Sequence, residues 1–169
     1  MSQFPLLVQF KLMRPGAQLP KRGTDGSGAF DFFVPEDGSL FPGDKKLIPS
    51  GVAHEMPGEI WLSLAGRDGD GPVVAREFPF RLQGILFDRS GLGHKKGIRL
   101  SFTGLIDNDY RGEIFLSMEN TSSEYFAWKA GERLCQIGYT LMYAGATAAT
   151  ETLDETARGA GGFGSTGTR

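Results

Sequence analysis

Apolar residues recur along this chain in short runs with loose two-residue alternation, and no long segment carries them at helical spacing, so the expected structure is mostly β. The first run covers 6–13 and is halted by Arg14-Pro15-Gly16. A loop over 19–28 leads into a strongly apolar run at 29–34, and further strands are expected over 46–52, 59–65 and 73–78. The run at 98–106 meets the polar cluster Asp107-Asn108-Asp109-Tyr110-Arg111-Gly112-Glu113 and resumes over 114–118, a pattern that predicts a β-hairpin with its turn supplied by Asp, Asn and Gly. Runs at 125–128 and from Gly131 to Tyr143 complete the set. Twenty-five glycines and nine prolines divide these runs into many short strands, as a sandwich or barrel requires.

Two interruptions stand out. Residues 59–65 and 73–78 read as two arms joined by Gly66-Arg67-Asp68-Gly69-Asp70-Gly71-Pro72, and Pro79 is expected to make the second arm an edge strand or to bend it away. The aspartates of that connection lack the twelve-residue ligand spacing of a calcium loop, and a flexible turn is the simpler reading. From Ala144 onward the composition changes to Gly, Ala and Thr, which cannot pack a core. The chain therefore divides into a β domain over 1–143 and a flexible arm over 144–169.

A chain of 169 residues with 40% hydrophobic content supports one sizeable core. Twenty acidic against eighteen basic residues give a net charge of −2, which offers no basic field for a nucleic-acid partner. Cys135 is the only cysteine, so an internal disulfide and a thiolate zinc site are both excluded, and its expected role is that of a small buried hydrophobe. No basic leader with an apolar region and no membrane-length apolar segment is present, and a soluble, cytoplasmic protein is expected, in the host cytoplasm if the source is viral.

Three places carry candidate chemistry. Asp31, inside an apolar run, must face solvent or bind something, because an unpaired buried carboxylate is costly. The loop Asp88-Arg89-Ser90-Gly91-Leu92-Gly93 combines a guanidinium, a hydroxyl and close glycines, the ingredients of an anion cradle. The turn at 107–113 is either an ordinary polar turn or a pocket built of two carboxylates and a tyrosine. His94 and His54 both read as surface histidines, and they do not form a metal cluster. The tail Arg158 to Arg169 sets Phe163 among glycines beside Ser165 and Thr166, which suits either a disordered terminus or a flap that orders over a planar, phosphorylated ligand.

In this order, these pieces resemble the five motifs of the trimeric dUTP pyrophosphatase (dUTPase) family: Gly28-Ala29-Phe30-Asp31, Arg89-Ser90-Gly91-Leu92, Gly104 to Glu113, Gly131 to Gln136, and Arg158 to Gly167. The third and fifth are long and specific, and five in sequence are hard to obtain by accident. The resemblance implies a jelly-roll β protomer in a homotrimer whose active sites are each shared among three subunits. It also implies magnesium-dependent hydrolysis of dUTP to dUMP and pyrophosphate, which limits uracil incorporation into DNA and supplies dUMP for dTMP synthesis. Asp107 takes the place of the general base, and Asp31 that of a metal-binding acid acting through water. Arg89, Ser90, Gly91 and Gln136 take the places of phosphate-site residues, with Arg158, Ser165 and Thr166 at the far end of the triphosphate. Tyr110 lies against the deoxyribose, Phe163 and Gly164 cover the uracil, and main-chain groups around Gly104 and Ile106 read its edge.

Some positions depart from the family pattern. Asp88 replaces a common proline and is expected to weaken phosphate binding or to pair with Arg89, while Phe30 and Gly93 differ mildly from common choices. Ser101 stands where some relatives carry a base-contacting asparagine. The interval from Asp31 to Arg89 exceeds the usual one by roughly twenty residues, with the surplus at about 61–82, and reads as an inserted hairpin. A tolerated surface extension is favoured there over a docking element for another protein. Two rival functions follow from the same resemblance. One is a dCTP deaminase-type relative, which needs a glutamate base that no motif here supplies. The other is a nucleotide-gated regulatory protein that engages a partner through the hairpin.

Overall fold

The computed structural model describes residues 7–67, 71 and 73–161. The strands in chain order are β1 (Gln9–Leu12), β2 (Ala29–Phe33), β3 (Gly38–Leu40), β4 (Lys45–Pro49), β5 (Val52–Glu55) and β6 (Ile60–Arg67). They continue with β7 (Val73–Asp88), β8 (Ile98–Leu100), β9 (Leu105–Ile106), β10 (Phe115–Asn120), β11 (Phe126–Trp128) and β12 (Arg133–Tyr143). One short helix, α1 (Ser90–Lys96), links β7 to β8 and ends on Gly97 in the left-handed conformation. The all-β, jelly-roll-like expectation is met.

The largest sheet runs β2-β12-β7-β6, with β9 added to β7. A second sheet runs β4-β10-β8, and the pairs β1-β5 and β11-β3 complete the shell. Alternation places one face of each strand inside: on β10, Leu116 and Met118 are buried while Phe115 is exposed. Those two side chains join Phe32, Val34, Leu40, Ile98, Ile114, Leu134 and Ile137 in one core. Each such burial contributes about 1.5–3 kcal/mol. Cys135 belongs to this core, and burial pushes its thiol up to about 12, so it is inert at neutral pH.

Three local readings of the sequence are corrected. Residues 98–118 do not form a simple hairpin. β8 pairs with β10, and Ser101 N–H still donates to Ser117 O at 2.7 Å, but the chain then turns away so that β9 pairs with Gly84 and Ile85 of β7. The segment bridges two sheets, anchored where Leu86 N–H donates to Gly104 O at 3.0 Å, and the opening between β9 and β10 becomes a pocket. Pro79 does not bend its strand away either, because β7 continues through it opposite Trp61. Its carbonyl accepts Ala144 N–H, so the donor it lacks lies on that same side, beyond the last β12 pair of Tyr143 with Phe80.

The third correction is His54, which is a core residue of β5 with 2% of its surface exposed. Its Nδ1 lies 3.0 Å from the Tyr139 hydroxyl, and among the described residues Nε2 has no partner. Burial, aided by the nearby Arg111 charge, lowers its pKa to about 4. An unfolded chain takes up that proton near pH 6.5, so His54 lends stability that is complete above 6.5 and is lost as the pH falls towards 4, a swing of about 3 kcal/mol. Urea midpoints at pH 7 and pH 4.5 test this: His54→Leu is expected to show a much smaller acid-induced drop than the parent, and equal drops would refute it. His94, in contrast, is exposed on α1 as expected.

Candidate active site

Five of the candidate residues converge because of strand register. β12 pairs with β2 so that Gln136 stands opposite Asp31, and with β7 so that Gln136 also stands opposite Phe87, two residues before Arg89. A pocket of about 420 Å³ results, lined by Asp31, Arg89, Ser90, Gly91 and Gln136. The Asp31 carboxylate is paired on both oxygens: Arg89 Nε lies 3.0 Å from Oδ1 and Arg133 Nη1 lies 3.0 Å from Oδ2. Gln136 Nε2 donates to Asp88 O at 2.8 Å, and Arg89 Nη1 donates to Arg133 O at 2.9 Å, which fixes both side chains at the pocket wall. Asp88 does not pair with Arg89. Its carboxylate turns to β8 and accepts Leu100 N–H, so the charge expected to disturb the pocket is used as a backbone acceptor.

Arg133 and Lys96 also line this pocket and were missed by the sequence reading. Arg133 lies within the fourth motif and its cationic type was legible, but its direction depends on the bulge between Arg133 and Cys135. Arginines at two sides, a lysine, a hydroxyl and an amide make this a site for a multiply charged anion.

Gly104, Ile106, Asp107 and Tyr110 are brought together elsewhere, in a pocket of about 300 Å³ between β9 and β10. Its walls are mainly apolar, from Leu86, Leu100, Phe102 and Phe115, with Asp107, Tyr110, Glu113 and Ser117 as polar members. Tyr110 N–H donates to Asp107 O at 3.1 Å and closes the turn, and the Asp107 carboxylate, exposed, accepts no hydrogen bond among the described residues. Tyr110 hydroxyl donates to Glu113 O at 2.9 Å, laying the ring over Gly112, where a Cβ would lie 2.5 Å from that hydroxyl. Ser101 hydroxyl lies 2.6 Å from the Ser117 hydroxyl, beside this pocket.

Among the described residues, none lines both pockets. Arg158 lines neither and folds back in an exposed turn, its Nε donating to Gly161 O at 2.9 Å. Phe163, Gly164, Ser165 and Thr166 lie outside the described residues.

The dUTPase family model matches residues 73–167, which include four of the five motifs. A deoxyuridine 5′-triphosphate nucleotidohydrolase of Hahella chejuensis is 39% identical over 169 residues, covering 97% of this chain and 97% of its own. The chain belongs to the dUTPase family. A second such enzyme, from Desulfitobacterium hafniense, is 37% identical over 170 residues and 99% of each chain. The fold of this dUTPase is similar to that of the Staphylococcus bacteriophage 80alpha dUTPase solved with dUPNHPP, with a TM-score of 0.73 at 23% identity over 95% of this chain and 98% of that one. The dUTPase of phage phi11 of S. aureus, described with a structural Mg(II) ion, gives a TM-score of 0.68 at 20% identity over 86% of this chain and 97% of its own.

The dUTPase chain itself offers few donors for a metal. Among the described residues no group of three or more His, Cys, Asp or Glu is arranged to hold an ion, and Asp31 is already bridged by two guanidinium groups. That donor set suits a hard cation that keeps several waters and takes its remaining ligands from substrate phosphates, with one protein carboxylate at its edge. Among the described residues no helix is long and apolar enough to cross a membrane.

Proposed function

We propose that this chain hydrolyses dUTP to dUMP and pyrophosphate by attack of water on the α-phosphorus, in a homotrimer whose sites combine the pockets of different copies. The observation that carries the reading is the partition of the candidate residues: a small, mainly apolar pocket bearing one unengaged carboxylate, and a separate polar pocket bearing Arg89, Arg133 and Lys96. The first suits a nucleoside and the second a triphosphate, and neither is complete alone.

In the nucleoside pocket, Asp107 accepts a proton from water as that water attacks phosphorus, and the proton passes afterwards to solvent. Tyr110, held over Gly112, fills the space a 2′-hydroxyl needs. Main-chain groups around Gly104 and Ile106 that are not taken up by β7 read the uracil edge, where a wrong base leaves buried polar groups unpaired. Arg89, Ser90, Gly91 and Gln136, with Arg133 and Lys96, hold the phosphate oxygens and stabilise the pyrophosphate as it leaves. Bound with the triphosphate, Mg²⁺ supplies charge neutralisation and a fixed geometry at the α-phosphorus. Asp31 would hold it through water, and it orients Arg89 and Arg133. Arg158, Ser165 and Thr166 clamp the far phosphates, and Phe163 and Gly164 close over the base. This chemistry belongs with the nucleotide pool of the cytoplasm.

The chain is further divided into the β domain of 1–143 and the arm of 144–169, with the hairpin at about 61–82 as an insertion. β6 is an edge strand, and Trp61 and Leu64 on it are 56% and 60% exposed, so a protein partner docking there is the secondary reading. Pyrophosphate release with each deoxynucleoside triphosphate in magnesium, on intact and hairpin-deleted protein, tests both. Selective use of dUTP by both proteins is expected. Ammonia release from dCTP, or no action on dUTP, would overturn the reading, and loss of both trimer and activity on deletion would make the hairpin structural.

A further inference from the structure

Arg14 and Glu113 are 99 positions apart in sequence and meet in a two-point contact, with Arg14 Nε 2.6 Å from Glu113 Oε1 and Nη2 2.7 Å from Oε2. Glu113 Oε1 also accepts Gly51 N–H at 2.9 Å, and its side chain is only 12% exposed. The guanidinium and the amide hold this carboxyl below the usual carboxylate range. Arg14 is itself braced by Glu36 at 3.6 Å. Besides Arg14, no titratable side chain pairs with Glu113 among the described residues, and Glu36 touches Arg14 alone.

Glu113 lines the pocket that carries Asp107, and its backbone carbonyl accepts the Tyr110 hydroxyl at 2.9 Å. Tyr110 N–H in turn closes the Asp107 turn. A continuous series of contacts therefore runs from the loop after β1, through Arg14 and the Glu113 carboxylate, into the Glu113 main chain, and on to the ring of Tyr110. We propose that Arg14 and Glu113 are positioning residues for sugar discrimination: their ion pair fixes the carbonyl that holds the Tyr110 ring, and so sets how strongly the site rejects a 2′-hydroxyl. This rests on the reading of Tyr110 against the deoxyribose.

The geometry favours a positioning role over simple bracing. A bidentate guanidinium–carboxylate contact fixes a plane as well as a distance, and lysine cannot reproduce that. A bond to a charged partner of this kind is worth roughly ten- to a hundredfold in an equilibrium. Part of that loss would appear as a loosened Tyr110 ring.

The measurement is kcat/KM for dUTP and for UTP with the intact chain, Arg14→Met, Arg14→Lys and Glu113→Gln, each checked for its melting midpoint and assayed well below it. Arg14→Met is expected to lower the dUTP-to-UTP ratio by about tenfold. Glu113→Gln, which loses the charge and sets an amide N–H against one guanidinium N–H, is expected to lower the ratio in the same direction, and Arg14→Lys, which keeps the charge without the two-point contact, to fall between the parent and Arg14→Met. A merely structural pair would change the melting midpoint and leave the ratio in place, and that result would overturn the inference. An intact protein that does not prefer dUTP would instead refute the reading of Tyr110, so the two failures are distinguishable.

Discussion

Asp107→Asn is expected to lower kcat for dUTP by about a thousandfold while KM changes by less than about threefold. The amide keeps the size and the polar outline of the side chain but cannot take a proton from water. The loss should fall almost wholly on the chemical step, because the Asp107 carboxylate is exposed and accepts no hydrogen bond among the described residues. For the same reason the substitution should leave stability within about 0.5 kcal/mol of the parent. Single-turnover measurements in magnesium, with bound nucleotide separated from free, distinguish binding from cleavage. Activity within tenfold of the parent would remove Asp107 as general base. A large rise in KM with unchanged kcat would make it a binding group instead.

Much of this site was legible in the sequence because residues that share a pocket sit in short, separately readable motifs. Arg89, Ser90 and Gly91 are consecutive, and Asp107 and Tyr110 belong to one turn, so local chemistry alone makes them candidates. The question posed by Asp31, solvent or a partner, is answered by two guanidinium groups. What alternation cannot supply is the identity of the neighbouring strand. The apolar run at 98–106 was read as one arm of a hairpin, yet its last two residues form β9 and leave β10 for β7. That departure creates the pocket around Asp107. His54 was misread for a related reason: it occupies an inward position on β5, and its only polar partner among the described residues, Tyr139, comes from a strand 85 positions later. Arg14 ends the first apolar run and looks like a surface breaker, and only the folded chain brings it to Glu113.

Asp31→Asn should separate metal-dependent from metal-independent anion binding in opposite directions. In the ligand-free chain Asp31 divides its two oxygens between Arg89 and Arg133, so it neutralises part of the field that a triphosphate needs while keeping both guanidinium groups aimed at the pocket. The amide retains the shape but removes one negative charge, leaving two facing cations and a more positive site. With a chelator present, pyrophosphate binding measured calorimetrically is therefore expected to strengthen by up to about tenfold. In magnesium the same substitution would remove the carboxylate proposed to hold the metal, and kcat/KM for dUTP is expected to fall by about a hundredfold. The melting midpoint should drop by a few degrees, because the like-charged guanidinium groups lose the acid between them. If Asp31 only braced the fold, both affinities and the melting midpoint would decline together. Should the variant bind pyrophosphate more weakly in chelator while remaining folded at the assay temperature, Asp31 does not set the charge of this pocket. Opposite signs are the decisive signature because loss of structure cannot tighten an anion site, whereas loss of a single buffering carboxylate can.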